Sequence, residues 1–288
     1  MTVHAAFAVL LIGACSSSSA HPSGNQDMFS RADAYERFMG RWSRRLAPDL
    51  VAFAAVRDGD NVLDVGSGTG VLSFAARDAT KTGDIRGIDV SADYVAYAAR
   101  QATDPRIRFE VGDAQQLPFP DARFDKTLSL LVINFIPDPG RAVNEMMRVT
   151  KSGGVVAAAV WDYGSGMEML RVFWDEVIAF DPSSEPRDEA HMPLCKQGQL
   201  AELWKRHGFE NVREAPLTAV LHFASFDDYW APFLLGQGPA GSYVAKLPKD
   251  RQAALAQRLR KRLLGDSPDR AFDLHVRAWA VTGSVPRR

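Results

Sequence analysis

Two cysteines in 288 residues, Cys15 and Cys195, leave no disulfide framework within a folded region, so stability must come from a packed core. An excess of charge is also missing: 34 Lys and Arg against 35 Asp and Glu leave a net charge of −1. That balance argues against a nucleic-acid surface. The apolar stretch near the start is shorter than the roughly 18 residues a membrane span needs. Internal repeats and coiled-coil heptads are absent as well. What remains is an ordinary globular composition, 46% hydrophobic, in a chain long enough to bury a full core.

Against that background one segment stands out, Val62-Leu63-Asp64-Val65-Gly66-Ser67-Gly68-Thr69-Gly70. A short apolar run feeds alternating glycines and then a helical pattern from Val71, which lets backbone approach a nucleotide-like ligand closely. A dinucleotide fingerprint needs a further glycine where Val71 stands. Asp64, two residues before the first glycine, repels phosphate and suits a ligand carrying an ammonium group. Two more strands end in acids. Asp89 closes the second, with Ser91 placed to cap the next helix, and Asp113 follows the third, 106–111. Asp89 sits 19 residues after Gly70, a spacing at which an acid can take both hydroxyls of a ribose. Ligands of open α/β sheets lie outside the carboxyl ends of the strands, so the three acids converge on one cleft.

Strands alternate with helical patterns over 61–162, which reads as a parallel sheet wrapped by helices. Pro137-Asp138-Pro139 opens the helix after strand four, and Lys151-Ser152-Gly153-Gly154 is expected to punctuate its end. Segments 210–223 and 271–283 read as two further strands, with loop and helices at 227–264 forming a lid or helical insertion. The basic helix at 249–262 reads as a solvated face, since aromatic interleaving is missing.

Taken together, VLDVGSGTG, GIDVS, VGDAQQLPFPDARFD, SLLVINFIPDP and RVTKSGGVVAAAVWDY resemble, in order and spacing, a class I S-adenosylmethionine-dependent methyltransferase. The resemblance covers about 50–163. The flanks AYERFMGRWSRRLAPDL and DDYWAPFLLGQGPAGSYV are similar to the ubiquinone-biosynthesis-like, small-molecule branch. It implies an α/β, Rossmann-like fold: a seven-stranded, mostly parallel sheet with a terminal antiparallel hairpin and helices on both faces. It further implies S-adenosyl-L-methionine as methyl donor, with no metal. Gly66, Ser67 and Gly68 would pass under the methionine part, and Asp64 would anchor the loop and help hold the amino group. Asp89 would bind the ribose, Val90 would pack on the adenine, and Asp113 with the Ala114 amide would meet the adenine edge. Leu130 to Asn134 would line the methyl-transfer side.

On the acceptor side the candidates are Asn134, Trp161 and Tyr163, with Tyr35 and Trp42 as an N-terminal cover. His191 and Cys195 read as structural, and no catalytic base is assigned. Phe173, Trp174, Phe226, Tyr229, Trp230 and Phe233 divide between core and an apolar acceptor pocket. The loop after strand four reads Asn134-Phe135-Ile136-Pro137, not the Asn/Asp-Pro-Pro-Tyr that holds planar amines. No cysteine stands there for attack on a pyrimidine, and no acid cluster marks a magnesium site. A small organic acceptor is therefore expected, with no nucleic-acid partner. Two alternatives stand beside this reading: a binding protein without catalysis, and an NAD-dependent oxidoreductase.

The organisation expected is an extension at 1–27, then one methyltransferase domain at 28–288. Its cofactor core lies at 50–163, and the acceptor-side helices, lid and last strands at 164–288. Gly13-Ala14-Cys15 and the serines after it resemble a lipoprotein signal without a basic start, so Cys15 offers a membrane anchor. Met28 offers a later start, and a cytoplasmic protein is expected because S-adenosylmethionine is a cytoplasmic metabolite.

Overall fold

The computed structural model describes residues 32–287, so the expected extension, Cys15 and Met28 lie outside the described residues. Seven strands form one sheet in the order β3-β2-β1-β4-β5-β7-β6. They are β1 (Val62–Val65), β2 (Ile85–Asp89), β3 (Ile107–Val111), β4 (Phe124–Leu130), β5 (Thr150–Trp161), β6 (Glu210–Phe223) and β7 (Phe272–Ser284). The first five pair in parallel, while β7 runs antiparallel between β5 and β6. The expected sheet and its antiparallel closing pair are thus present.

Local chemistry explains where the helices begin. Helix α1 (Ala32–Tyr35) passes through a single π turn, Glu36–Gly40, into α2 (Arg41–Phe53). Helix α3 (Val71–Ala79) starts directly from the left-handed Gly70. Helix α4 (Ala92–Gln101) is capped by the Ser91 hydroxyl, and α5 (Pro139–Val149) by Asp138 with proline in its first turn. Chain direction does the rest. From β1 the crossovers step one way to β2 and β3, and from β4 the other way to β5. Right-handed connections then place α3 and α4 on one face and α5 on the other. The reversal between β1 and β4 opens a crevice at their carboxyl ends.

The glycines of Lys151-Ser152-Gly153-Gly154 do not separate helix from strand. They lie inside β5, which begins at Thr150 and shifts register against β4 between Phe124 and Lys126. Gly153, at φ +76°, absorbs that irregularity, so the punctuation expected at a loop falls within a bulged strand.

After β5 come α6 (Glu168–Phe180) and α7 (Gln199–Arg206); the stretch between β6 and β7 folds as α8 (Phe226–Trp230), α9 (Gly238–Ala245) and α10 (Lys249–Leu264). It is a docked helical insertion. Phe233 stacks on Phe173 of α6 at 4.6 Å between ring centroids and meets Phe38 of the N-terminal segment at 5.2 Å. The Tyr229 hydroxyl donates to the Met169 carbonyl at 3.0 Å. The basic helix α10 buries Leu255 and Leu259 and pairs Arg258 with Glu176 of α6, as a solvated helix face would.

Phe233 ties three parts of the chain together with no exposed surface. Phe233→Ala should therefore lower unfolding stability by roughly 3–5 kcal/mol in a denaturant titration. A loss below about 1 kcal/mol would mean the insertion is only loosely attached.

Candidate active site

Strand β1 must hand over to α3 beneath a neighbouring element, and Gly66 meets that constraint. Its φ is +72°, and an added Cβ would sit 2.5 Å from Val132 Cγ1. The Gly66 and Ser67 amides donate to the Ile88 carbonyl at 2.8 and 2.9 Å, holding the turn against the end of β2. The Gly68 amide donates to Asp89 Oδ2 at 2.8 Å, and the Ser91 amide to Oδ1 at 2.9 Å. Each Asp89 oxygen keeps a further lone pair for a ligand. Burial raises the Asp89 pKa, and the two amides oppose that rise.

These elements surround a cavity of about 890 Å³ at the carboxyl ends of the strands. That is near the top of the range of roughly 300–1,000 Å³ for small-molecule sites, enough for a donor and an acceptor together. All nine residues expected at the cofactor line it. The loop residues Gly66, Ser67 and Gly68 form one wall with Asp64 behind them. Val90, 53% exposed, lies bare beside Asp89. Asp113, Ala114 and Leu130 are part of the same lining. The Gln115 amide donates to Asp113 Oδ1 at 2.8 Å and so orients this carboxylate.

Asp64 is 1% exposed. Its Oδ2 accepts from the Ser73 hydroxyl at 2.7 Å, while Oδ1 has no hydrogen-bond partner among the described residues. The Ser67 and Tyr94 hydroxyls on the same cavity are likewise unpartnered. Orphaned buried polar atoms gathered on one wall call for a polar ligand. Burial pushes the Asp64 carboxyl up to about 7, with the Asp89 charge adding to the rise.

The acceptor-side expectations divide. Trp161, Tyr163 and Tyr35 line the cavity. Asn134 does not. It is 5% exposed within the short turn Ile133–Phe135, where its amide group finds no partner among the described residues, while Val132 and Phe135 on either side reach the cavity. The tight turn after β4 rotates alternate side chains away from the opening. Trp42 also misses it and packs against Phe223 at 5.9 Å. Phe173, Trp174, Tyr229, Trp230 and Phe233 are buried in the core, and none of them is on the cavity. His191 pairs with Glu185 at an exposed site, and Cys195 is buried, its thiol donating to the Pro193 carbonyl. Neither lines the cavity.

The sequence reading missed Phe38, Met39, Gly238, Pro239 and, above all, Glu189. The first four come from segments far apart in sequence that meet over the sheet. Glu189 sits in a short helical turn of an irregular stretch, where no periodicity or motif announces a buried acid. It is 4% exposed, and its Oε2 accepts from Trp174 Nε1 at 2.7 Å. Burial pushes its carboxyl up to about 7. The cavity wall thus carries Asp64, Asp89, Asp93, Asp113 and Glu189, with no Lys, Arg or His among its described residues.

Comparison with known proteins agrees with this geometry. Residues 63–158 match the family model described as a methyltransferase domain. The malonyl-[acyl-carrier protein] O-methyltransferase of Pectobacterium atrosepticum is 35% identical over 143 residues, covering 49% of this chain and 54% of the relative. The ubiquinone/menaquinone biosynthesis C-methyltransferase of Bdellovibrio bacteriovorus is 36% identical over 109 residues, covering 37% and 46%. The chain therefore spans about half the length of these curated relatives. Among solved structures, Haemonchus contortus phosphoethanolamine N-methyltransferase 2, in complex with S-adenosyl-L-methionine, shares the fold at a TM-score of 0.56. It is 20% identical, with 92% of this chain and 59% of that one covered.

Asp64 and Glu189 titrate near 7 in the fold, against about 4 in an unfolded chain. Between those values the native state holds more protons than the unfolded one, so their contribution to stability falls as pH rises. The thermal midpoint of ligand-free Asp64→Asn should therefore gain on the wild type between pH 5 and 8. A difference that stays constant across that window contradicts the raised pKa.

Proposed function

We propose that this chain, a class I S-adenosylmethionine-dependent methyltransferase of the ubiquinone-biosynthesis-like branch, moves a methyl group to a small organic acceptor held in the 890 Å³ cavity. The observation that carries the reading is the convergence of Asp64, Asp89 and Asp113 with the glycine loop on one cleft that has no cationic side chain among its described residues. Such a wall repels a pyrophosphate and attracts a ligand bearing ammonium and sulfonium charge. The glycine pattern points the same way, since Val71 already occupies the first position of α3 where a dinucleotide site needs its third glycine.

The orphaned atoms fit the donor. Asp64 Oδ1 would accept from the amino group and the Ser67 hydroxyl would donate to the carboxylate, which gives both orphaned atoms a partner. Asp89 receives the ribose hydroxyls with the lone pairs its two amide bonds leave free. Val90 offers an apolar surface to the base, and Asp113 an acceptor to its amino group, with the Ala114 amide nearby. Bound there, S-adenosylmethionine supplies an electrophilic methyl on a leaving group that is already activated. The protein's own task is to align the acceptor with that methyl and exclude water. Trp161, Tyr163 and Leu130 are placed to do so from the carboxyl ends of β5 and β4, and Tyr35 from above. Tyr35 leans on the Tyr94 ring at 5.4 Å between centroids, and the Thr69 hydroxyl donates to Glu36, so the cover is fastened to the glycine loop it shields.

The relatives named above carry O- and C-methyltransferase names, so the acceptor atom does not follow from kinship. Among the described residues no helix is long and apolar enough to cross a membrane. We place the activity in the cytoplasm, where the donor is made, as part of the same proposal.

A hydrogen bond to a charged acceptor contributes roughly 1.5–3 kcal/mol, and about 1.4 kcal/mol is tenfold in affinity. Asp89→Ala should thus weaken S-adenosylmethionine binding at least tenfold by calorimetry, and unchanged affinity removes the assignment.

A further inference from the structure

Beyond the residues proposed for the donor, the cavity is lined by Phe38, Met39, Trp161 and Pro239, by the hydroxyl-bearing Tyr35, Ser43 and Tyr163, and by the acid Glu189. One Glu189 oxygen is held by Trp174, and no second donor reaches this carboxyl among the described residues. The nearest cation, Arg171, is committed elsewhere: its guanidinium binds Asp188 through both nitrogens at 2.9 and 2.8 Å and also reaches the Tyr163 carbonyl. An acid on the cavity wall that is fixed by one bond keeps acceptor capacity for a ligand donor.

We infer that Glu189 is the acceptor-binding and proton-accepting residue of this enzyme, and that the acceptor is an amine on an apolar body. The inference rests on the methyltransferase reading above. An anionic acceptor is disfavoured because the wall's described residues offer five acids and no cation to receive it. An alcohol or phenol finds a partner in Glu189 but brings no charge to offset the wall. An ammonium brings both a donor and a positive charge.

The proton balance is simple. An ammonium has no lone pair for attack, so one N–H proton must first pass to the Glu189 carboxylate. The freed nitrogen pair then forms the new N–C bond as the C–S bond breaks, its electrons staying on sulfur. The methylated nitrogen leaves as an ammonium, and Glu189 returns its proton to solvent. Burial, which lifts this carboxyl to about 7, brings it closer to amine basicity than an exposed glutamate would be. The groups facing it are the Arg171–Asp188 pair, the Trp174 indole N–H, Tyr163 and Cys195. Burial holds the Tyr163 hydroxyl and the Cys195 thiol far up in pKa, the latter to about 12, so neither takes a proton near neutrality.

The test uses the full chain and Glu189→Gln, which keeps the size of the side chain and an oxygen for the Trp174 bond. Calorimetry with S-adenosylhomocysteine comes first; if the wild type fails to bind it, the parent reading falls. With that complex formed, matched triplets are assayed by thermal shift. They are an amine, an alcohol and a carboxylate on each of phenylethyl, indolylethyl and cyclohexylethyl bodies. The amines should bind at least tenfold more tightly than their partners, and E189Q should lose that preference while binding S-adenosylhomocysteine as before. Turnover of any amine acceptor should fall at least 100-fold in E189Q, and the wild-type rise in kcat/KM through about pH 7 should disappear. Preference for carboxylates or alcohols, an amine preference that survives in E189Q, or no binding by any amine overturns the inference and leaves the donor assignment intact.

Discussion

Two backbone amides meeting one carboxylate hold the glycine turn and the entry to α4 against the end of β2. Asp89, at the end of β2, receives the Gly68 amide at 2.8 Å and the Ser91 amide at 2.9 Å. The first bond fixes the glycine turn that links β1 to α3, and the second fixes the entry to α4. Two crossovers are therefore set by one side chain, and the three strand ends open on a common space. Bonds of this charged kind contribute roughly 1.5–3 kcal/mol each. They act on a loop whose glycines carry positive φ and which tolerates no side chain beneath Val132 at Gly66. Loss of the Gly68 bond would leave the turn held to β2 only by the Gly66 and Ser67 amides on the Ile88 carbonyl.

The two ends of the cavity have different origins in the chain. The residues proposed for the donor, from Asp64 to Leu130, all fall within the segment 63–158 that matches the methyltransferase family model. Other lining comes from outside it: Tyr35, Phe38 and Met39 from the N-terminal segment, Glu189 from the stretch after α6, and Gly238 and Pro239 from the insertion. Phe233 clamps the insertion against both Phe38 and Phe173, so these separate pieces form one wall. A shared donor machinery with a private acceptor wall is how one fold serves many substrates.

This division also explains what could be read from the residues alone. Strand ends and glycine turns are local, and their spacing along the chain dictates their placement in a parallel sheet. That the residues expected at the donor share one cavity was legible for that reason, down to Val90 and Ala114. Asn134 and Trp42 were misplaced because a tight turn or a helix decides side-chain direction residue by residue, which spacing does not reveal. Gly153 misled because a glycine marks a bulge as readily as a loop. Glu189 was silent because its meaning arises from burial among residues brought together by long-range packing.

A cleft lined by acids, with no cation among its described residues, should receive a sulfonium nucleoside and not a dinucleotide. The decisive measurement titrates S-adenosylmethionine and NAD separately into the protein in a calorimeter. Saturable one-to-one binding of S-adenosylmethionine and no heat of binding from NAD are expected. Saturable binding of NAD, with S-adenosylmethionine silent, would contradict that expectation.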